Sequence, residues 1–217
     1  MNNLLALERK KRRRNDPIDP LTFSARPVCY ECMRPTGHCV CNLIEPFAAH
    51  CQIVILQHFH ERKKYYGTAK LVTKGLTNCR IVRGIIFTLE QLALDADTYL
   101  LFPGKSAADC RSVILSAQTK VIVIDGTWDE AAKIIFNNPI LKALPLLSFS
   151  TPLKSRYRIR KQPQPHFLST IESIAHMLRI NAPVSGADPG IYQRLLGGFD
   201  QMIEKQLSFV PTFPIES

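Results

Sequence analysis

The sequence of 217 residues predicts an α/β fold, a mostly parallel sheet with helices on both faces. Two observations predict it. Apolar runs of strand length alternate along the chain with segments of helical periodicity. Those runs are continuously apolar, as strands covered on both faces are. The composition agrees: 46% hydrophobic and 21% charged residues suit a folded core. No apolar run reaches the ~18 residues that a membrane-spanning helix requires.

Residues 51–59, CQIVILQHF, read as a buried strand bounded by polar residues. Between Tyr66 and Thr77, Leu71, Val72 and Leu76 fall at helical spacing. Residues 79–87 and 98–102 read as strands, the second stopped by Pro103-Gly104. Residues 120–125, KVIVID, form the clearest strand, four β-branched residues ending on an acid. Trp128 to Phe136 reads as a helix and residues 143–150 as a further extended segment. Ser169-Thr170-Ile171-Glu172 has the order of a capping box. It opens a helix whose core side is Ile171, Ile174, Ala175 and Leu178. A break is expected at Asn181-Ala182-Pro183, then a second helix from about Pro189 to Leu207 using Ile191, Leu195 and Leu196.

The net charge is +10, and two short segments hold most of it. Residues 1–20 carry six basic and three acidic side chains; residues 154–161, KSRYRIRK, carry five basic and no acidic ones. Charge concentrated in this way suits a polyanionic partner. Residues 1–20 read as a basic leader ending in Asn15, Asp16, Pro17, Asp19 and Pro20; the run 9–14, with Arg12, Arg13 and Arg14, reads as a solvated tail, an RNA-binding arm or a nuclear address. Charges follow the short apolar start, the reverse of a secretory signal, so the expectation is a soluble cytoplasmic protein, or a nuclear one if the run is an address. Seven cysteines in that setting do not suggest a disulfide framework.

Four groups of residues can carry chemistry. Cys29, Cys32, Cys39 and Cys41, spaced C-x2-C-x6-C-x-C, can fold back around Pro35 and Gly37 to give a closed tetrahedral zinc site, with His38 able to replace one thiolate. The alternative is four unligated thiols. Cys51, Cys79 and Cys110 lie in or beside strands and read as inert core residues. Asp125-Gly126-Thr127-Trp128 follows a strand at the carboxyl edge, where open parallel sheets bind ligands. There Asp125 can act as base or orient an amide and Trp128 can stack; the alternative is a helix cap beside a core tryptophan.

In residues 155–161, Arg156, Arg158 and Arg160 project to one side of an extended segment and Tyr157 to the other, with Lys161 following. Such forks grip phosphates or carboxylates, unless the run is merely a solvated edge. His58, His60 and Glu61 end the first strand, but on an extended segment they point apart, which argues against one shared metal and for a satisfied loop.

Taken together, these residues resemble the DTW-domain family, the tRNA-uridine aminocarboxypropyltransferases. The resemblance rests on the four cysteines, Asp125-Gly126-Thr127-Trp128, the segment Ser155, Tyr157, Arg158 and Arg160, and Ser169-Thr170-Ile171-Glu172, in that order over residues 26–205. It departs where the family has His-Pro-x-Glu and then Asn-Thr: Phe59 replaces the proline and Gly67 the asparagine before Thr68.

The resemblance implies a fold like the knotted SPOUT methyltransferases, with a zinc element at 21–50 and a catalytic domain at 51–210. It implies S-adenosylmethionine as co-substrate, donating its 3-amino-3-carboxypropyl group to a uridine ring nitrogen of tRNA. Asp125, Trp128 and Glu172 would be catalytic. Leu101, Phe102, Pro103, Gly104, Asp125, Gly126, Thr127, Leu144, Tyr157, Arg158, Ser169 and Thr170 would hold the co-substrate, and Arg12, Arg13, Arg14, Arg156, Arg160 and Lys161 the RNA. A monomer is expected. The rival readings are an RNA methyltransferase of the same superfamily, a non-catalytic zinc-dependent RNA-binding protein, and a nucleotide-binding domain. The last lacks a glycine-rich loop after its first strand, where Gly67 stands alone.

Overall fold

The computed structural model describes residues 27–32, 34–64, 67–151, 154–159 and 167–208. The basic leader with Arg12, Arg13 and Arg14, and Arg160 and Lys161 of the second basic segment, lie outside the described residues.

The chain opens with a small antiparallel hairpin, β1 (Val28–Cys29) and β2 (Arg34–Pro35). There follow β3 (Gln52–Gln57), α1 (Ala69–Gly75), β4 (Cys79–Arg83), α2 (Leu89–Leu92), β5 (Thr98–Leu101) and β6 (Ala108–Asp109). The second half contains β7 (Lys120–Asp125), α3 (Trp128–Asn137), α4 (Pro139–Lys142), β8 (Leu146–Ser148), α5 (Thr170–Ser185) and α6 (Gln193–Leu207). Six strands make one sheet in the order β4-β3-β7-β5-β8-β6, with every neighbouring pair parallel. The expected parallel α/β sheet is therefore present.

Alternation along the strands builds two cores. Val54, Leu56, Leu100 and Ile122 face Leu92, Ile134 and Leu141 of α2, α3 and α4. Ile53, Ile55, Val121, Val123 and Leu147 face the side chains of α1, α5 and α6. Burying an aliphatic side chain of this size contributes about 1.5–3 kcal/mol, so β3 and β7, apolar on both faces, take interior positions with a strand on either side. The cysteine-bearing segment joins the second core, where Val40, Ile44 and Phe47 pack. Ile44 wedges against α6 so closely that a Cβ on Gly198 would lie 2.2 Å from its Cγ1.

β8 lies between β5 and β6, two strands consecutive in the chain, so their connection, residues 102–107, passes over β8. At that crossing a Cβ on Gly104 would lie 2.6 Å from Leu146 Cδ1, so a larger residue there would have to displace the leucine side chain.

The expected break at Asn181-Ala182-Pro183 does not occur; α5 runs on to Ser185 and is capped by Gly186 at φ 71°. Pro183 falls in the last turn, where its missing N–H costs one hydrogen bond. Asn181 is buried, and its side-chain amide donates to the carbonyls of Cys110 and Val113 at 2.6 and 2.7 Å. A residue that reads locally as a helix breaker is here a tertiary tie. Among the described residues, no helix is long and apolar enough to cross a membrane.

Candidate active site at the carboxyl edge of the sheet

Because all six strands are parallel, their carboxyl ends share one edge, and there a cavity of about 490 Å³ opens. Leu101, Phe102 and Pro103 leave β5 into it, and Ser148 to Thr151 leave β8. Gly126, Thr127 and Trp128 contribute from the turn after β7, and Phe167, Leu168, Thr170 and Ser173 from the start of α5. Trp128 is 45% exposed and stands edge-on to Phe102 at 5.9 Å, and tilted against Phe167 at 5.1 Å. None of the described residues lining the cavity is charged. It offers aromatic faces, hydroxyls and main chain.

Asp125 does not line this cavity. Its carboxylate is buried beneath the wall, where Oδ2 accepts from Gln57 Nε2 at 2.8 Å and Oδ1 from the Thr170 hydroxyl at 2.5 Å. Thr170 does line the cavity, so Asp125 meets it through one hydroxyl. Thr127 caps α3 as the signature suggests, and its own amide donates to Glu130 Oε2 at 2.8 Å.

Glu172 is likewise buried and fully engaged. It accepts from the Ser155 hydroxyl at 2.8 Å, the Arg156 amide at 2.6 Å, and the Ser169 amide and hydroxyl at 2.8 and 2.6 Å. These bonds fasten the basic segment to the start of α5.

That segment alternates as its sequence implies, with Tyr157 buried edge-on against Phe199 at 5.2 Å and Arg156 and Arg158 exposed. Counter-acids absent from the local sequence arrive from α6. Arg156 Nη1 lies 2.6 Å from Asp200 Oδ2, and Arg158 pairs with Glu204. Gly104, Leu144, Tyr157, Arg158 and Ser169, all expected at the co-substrate, are not among the lining residues; Leu144 packs in the core of the opposite face. Phe167, Phe149 and the hydroxyls of Ser148, Ser150 and Ser173 were not anticipated. Ser148 and Ser173 lie in β8 and α5, whose patterns mark the element but not which polar positions face the cavity.

The four cysteines converge. Their sulfurs lie within 4.8 Å of one another, with Cys29 to Cys41 at 3.7 Å and Cys32 to Cys39 at 3.9 Å. Four sulfurs at about 2.3 Å from a central zinc would stand about 3.8 Å apart. The backbone amides of Cys32 and Glu31 pull Cys29 down to about 6, while burial, followed by its thiol neighbours, pushes Cys41 up to about 12. Beside them Arg34 is 3% exposed and its Nη1 has no hydrogen-bond partner. Burial lowers the pKa of Arg34, and the thiolates of Cys32, Cys39 and Cys41 oppose that. A tetrathiolate zinc has a net negative charge, which this buried cation matches, so the residues fit the ion. His38 is turned away, its Nδ1 2.9 Å from Gln206 Nε2. By contrast, burial pushes Cys51, Cys79 and Cys110 up to about 12, as suits inert core thiols.

At the end of β3, Glu61 is buried and pairs with Lys64, apart from the histidines. His58 and His60 are instead joined by Glu130 of α3, whose Oε1 lies 3.2 Å from His58 Nδ1 and 3.3 Å from His60 Nδ1. The carboxylate that completes the pair lies 70 residues downstream of His60, beyond any local pattern.

A parallel sheet with a ligand-sized cavity at its carboxyl edge and a four-cysteine group docked on its core defines an α/β protein of the substrate-binding kind. The DTW domain matches residues 26–207, and the chain belongs to that family. It is 30% identical to the tRNA-uridine aminocarboxypropyltransferase 2 of Macaca fascicularis over 177 residues, 76% of this chain and 59% of that protein. It is 34% identical to the protein of the same name from Drosophila melanogaster over 180 residues, 75% of this chain and 72% of that one. Similarity extends to tRNA-uridine aminocarboxypropyltransferase A of Arabidopsis thaliana, at 24% over 221 residues, 85% and 83% of the two chains. The chain thus spans a little over half the length of the mammalian relatives. No solved structure matches it.

Proposed function

We propose that this protein transfers the 3-amino-3-carboxypropyl group of S-adenosylmethionine to the ring nitrogen of a uridine in tRNA, releasing methylthioadenosine. The observation that carries this reading is the cavity: in a DTW-family chain, the signature turn and the loop after β5 close on one aromatic-walled space with no charged side chain among its described lining. A sulfonium cation sits favourably against aromatic faces, and Trp128, Phe102 and Phe167 supply three of them. Leu101, Phe102 and Pro103 would hold the adenosine by main-chain contacts, as loops at this edge do.

The reaction is a displacement. The uracil nitrogen forms a bond to the γ-carbon of the methionyl arm, the carbon–sulfur bond breaks, and its electron pair leaves on the thioether. The imide must lose its proton first. Asp125, off the cavity, would take it through Thr170: the threonine oxygen accepts the imide proton while its own passes along the 2.5 Å bond to the carboxylate. Positioning decides which of the three carbons on sulfur is attacked, and Glu172 would serve that by fixing the start of α5. Arg156 and Arg158 would exchange Asp200 and Glu204 for tRNA phosphates, and the leader with Arg12, Arg13 and Arg14 would add an electrostatic hold. Zinc at Cys29, Cys32, Cys39 and Cys41 would be structural, since four thiolates leave no open position.

The test is direct. Purified protein is incubated with S-adenosylmethionine and unmodified tRNA, and the digested nucleosides are weighed. An aminocarboxypropyl gain on uridine is expected. A methyl gain would replace this reading by the methyltransferase one, and no gain by the binding protein. Chelation of the zinc should lower the melting temperature before any substrate is added.

A further inference from the structure

His58, His60 and Glu130 are unused by the reaction above, and their side chains converge on one point. Their ligand atoms lie within 4.8 Å of one another, and both imidazole Nδ1 atoms approach the same oxygen, Glu130 Oε1. The separations of 3.2 and 3.3 Å are those of two donors each about 2.1 Å from a shared ion. The His60 amide also donates to His58 Nδ1, a long contact of 3.4 Å. The His58 side chain is 3% exposed and Glu130 12%, while His60 is 63% exposed. The group is therefore anchored on two elements and open to solvent on one side.

Its framework is rigid. The His58 amide donates to the Asp125 carbonyl at 2.9 Å, and Glu130 Oε2 is held by the Thr127 amide, so β3 and α3 fix two of the donors independently. The rings of His58 and His60 meet edge-on at 4.8 Å, each presenting one nitrogen to the same point.

We propose that His58, His60 and Glu130 bind a divalent first-row transition ion at the carboxyl end of β3, separate from the cysteine site. Two imidazoles and a carboxylate are borderline donors that suit zinc, cobalt, nickel or iron better than magnesium or calcium. Three protein donors leave coordination positions open towards the exposed His60 side, where water or an anionic oxygen can bind.

Cobalt(II) is the probe, added to full-length protein whose cysteine site already holds zinc, which cobalt does not displace from thiolates. Binding of one equivalent, with visible d–d absorption and no thiolate charge-transfer band, is expected. His60→Ala, at an exposed side chain, should weaken that binding at least tenfold while the melting temperature of the zinc-loaded, cobalt-free protein is unchanged. Glu130→Gln should weaken it similarly and serves as the second variant. Absence of the absorption, a thiolate band, or equal binding by His60→Ala would each overturn the site. No tRNA or S-adenosylmethionine enters this measurement, so its result is independent of the transferase reading.

Discussion

The turn from Asp125 to Glu130 separates two environments with opposite chemistry. On one side the cavity has no charged residue among its described lining, and its polar groups are hydroxyls and main chain. On the other, within one helical turn, Glu130 faces two imidazoles. The two carboxylates of the turn differ accordingly. Asp125 has both oxygens occupied by neutral donors, whereas Glu130 has one oxygen in a helix cap and the other shared by His58 and His60. A short signature thus divides labour: its buried acid holds a wall, and its helical acid holds a charge-rich corner.

The largest effect is expected where the buried acid meets the cavity. Asp125→Asn should lower transfer by about 100-fold or more, the lower range for loss of a positioned base. Thr170→Val should do the same, because it interrupts the only described path from Asp125 to the cavity. Single-turnover rates with both variants, alongside co-substrate binding by calorimetry, check this. Normal turnover in Thr170→Val would break the relay and leave Asp125 a wall support only.

Next in size is Trp128→Ala. With Phe102 and Phe167 left unsupported across the mouth, S-adenosylmethionine should bind about 2- to 30-fold more weakly, the worth of one aromatic partner to a cation. Cobalt binding at the histidine corner should not change. Loss of both together would mean that the two environments are one site.

The contrast also shows which parts of the molecule local sequence can carry. The parallel sheet was legible because β3 and β7 are apolar on both faces, and that needs no partner to recognise. The four cysteines were legible because spacing alone brings them together. The local reading stays incomplete where a partner comes from far along the chain. Glu61 is apart from His58 and His60, and the carboxylate they share arrives on α3 as Glu130. The arginines of 154–159 looked unopposed until Asp200 and Glu204 arrived on α6. Asn181 reads as a helix breaker, and only the carbonyls of Cys110 and Val113 explain why the helix continues. Asp125 was read as the acid of the pocket, yet strand alternation turns it towards α5, beneath the wall. Periodicity finds which residues are buried; it does not say what meets them.

A smaller effect concerns the dependence of stability on pH. His176 packs edge-on against Phe149 of the wall at 4.9 Å, and burial, followed by Arg179 and Arg111, holds its pKa below the ordinary imidazole value. Burial does the same to His50. The unfolded chain then takes up protons before the folded one. Stability is complete above the unfolded value of about 6.5 and is lost as pH falls through it, levelling off below the depressed folded values. Melting temperature should fall over that interval, and less steeply in His176→Phe. An unchanged slope would assign the loss to His50 alone.

The smallest effect concerns Arg158 and Glu204, which are 60% and 65% exposed. Such a pair contributes less than about 1 kcal/mol to stability, so Glu204→Gln should leave the melting temperature nearly unchanged. It should strengthen tRNA binding, because the arginine no longer has to exchange a carboxylate for a phosphate. Arg158→Gln should weaken binding and reduce its salt dependence by about one counterion, the contribution of one phosphate contact. The double variant should resemble Arg158→Gln alone, since without the arginine the acid has nothing to compete for. Binding curves over a range of salt decide it: an identical salt slope in Arg158→Gln would mean that the ion pair stays closed and that RNA is held elsewhere on the basic surface.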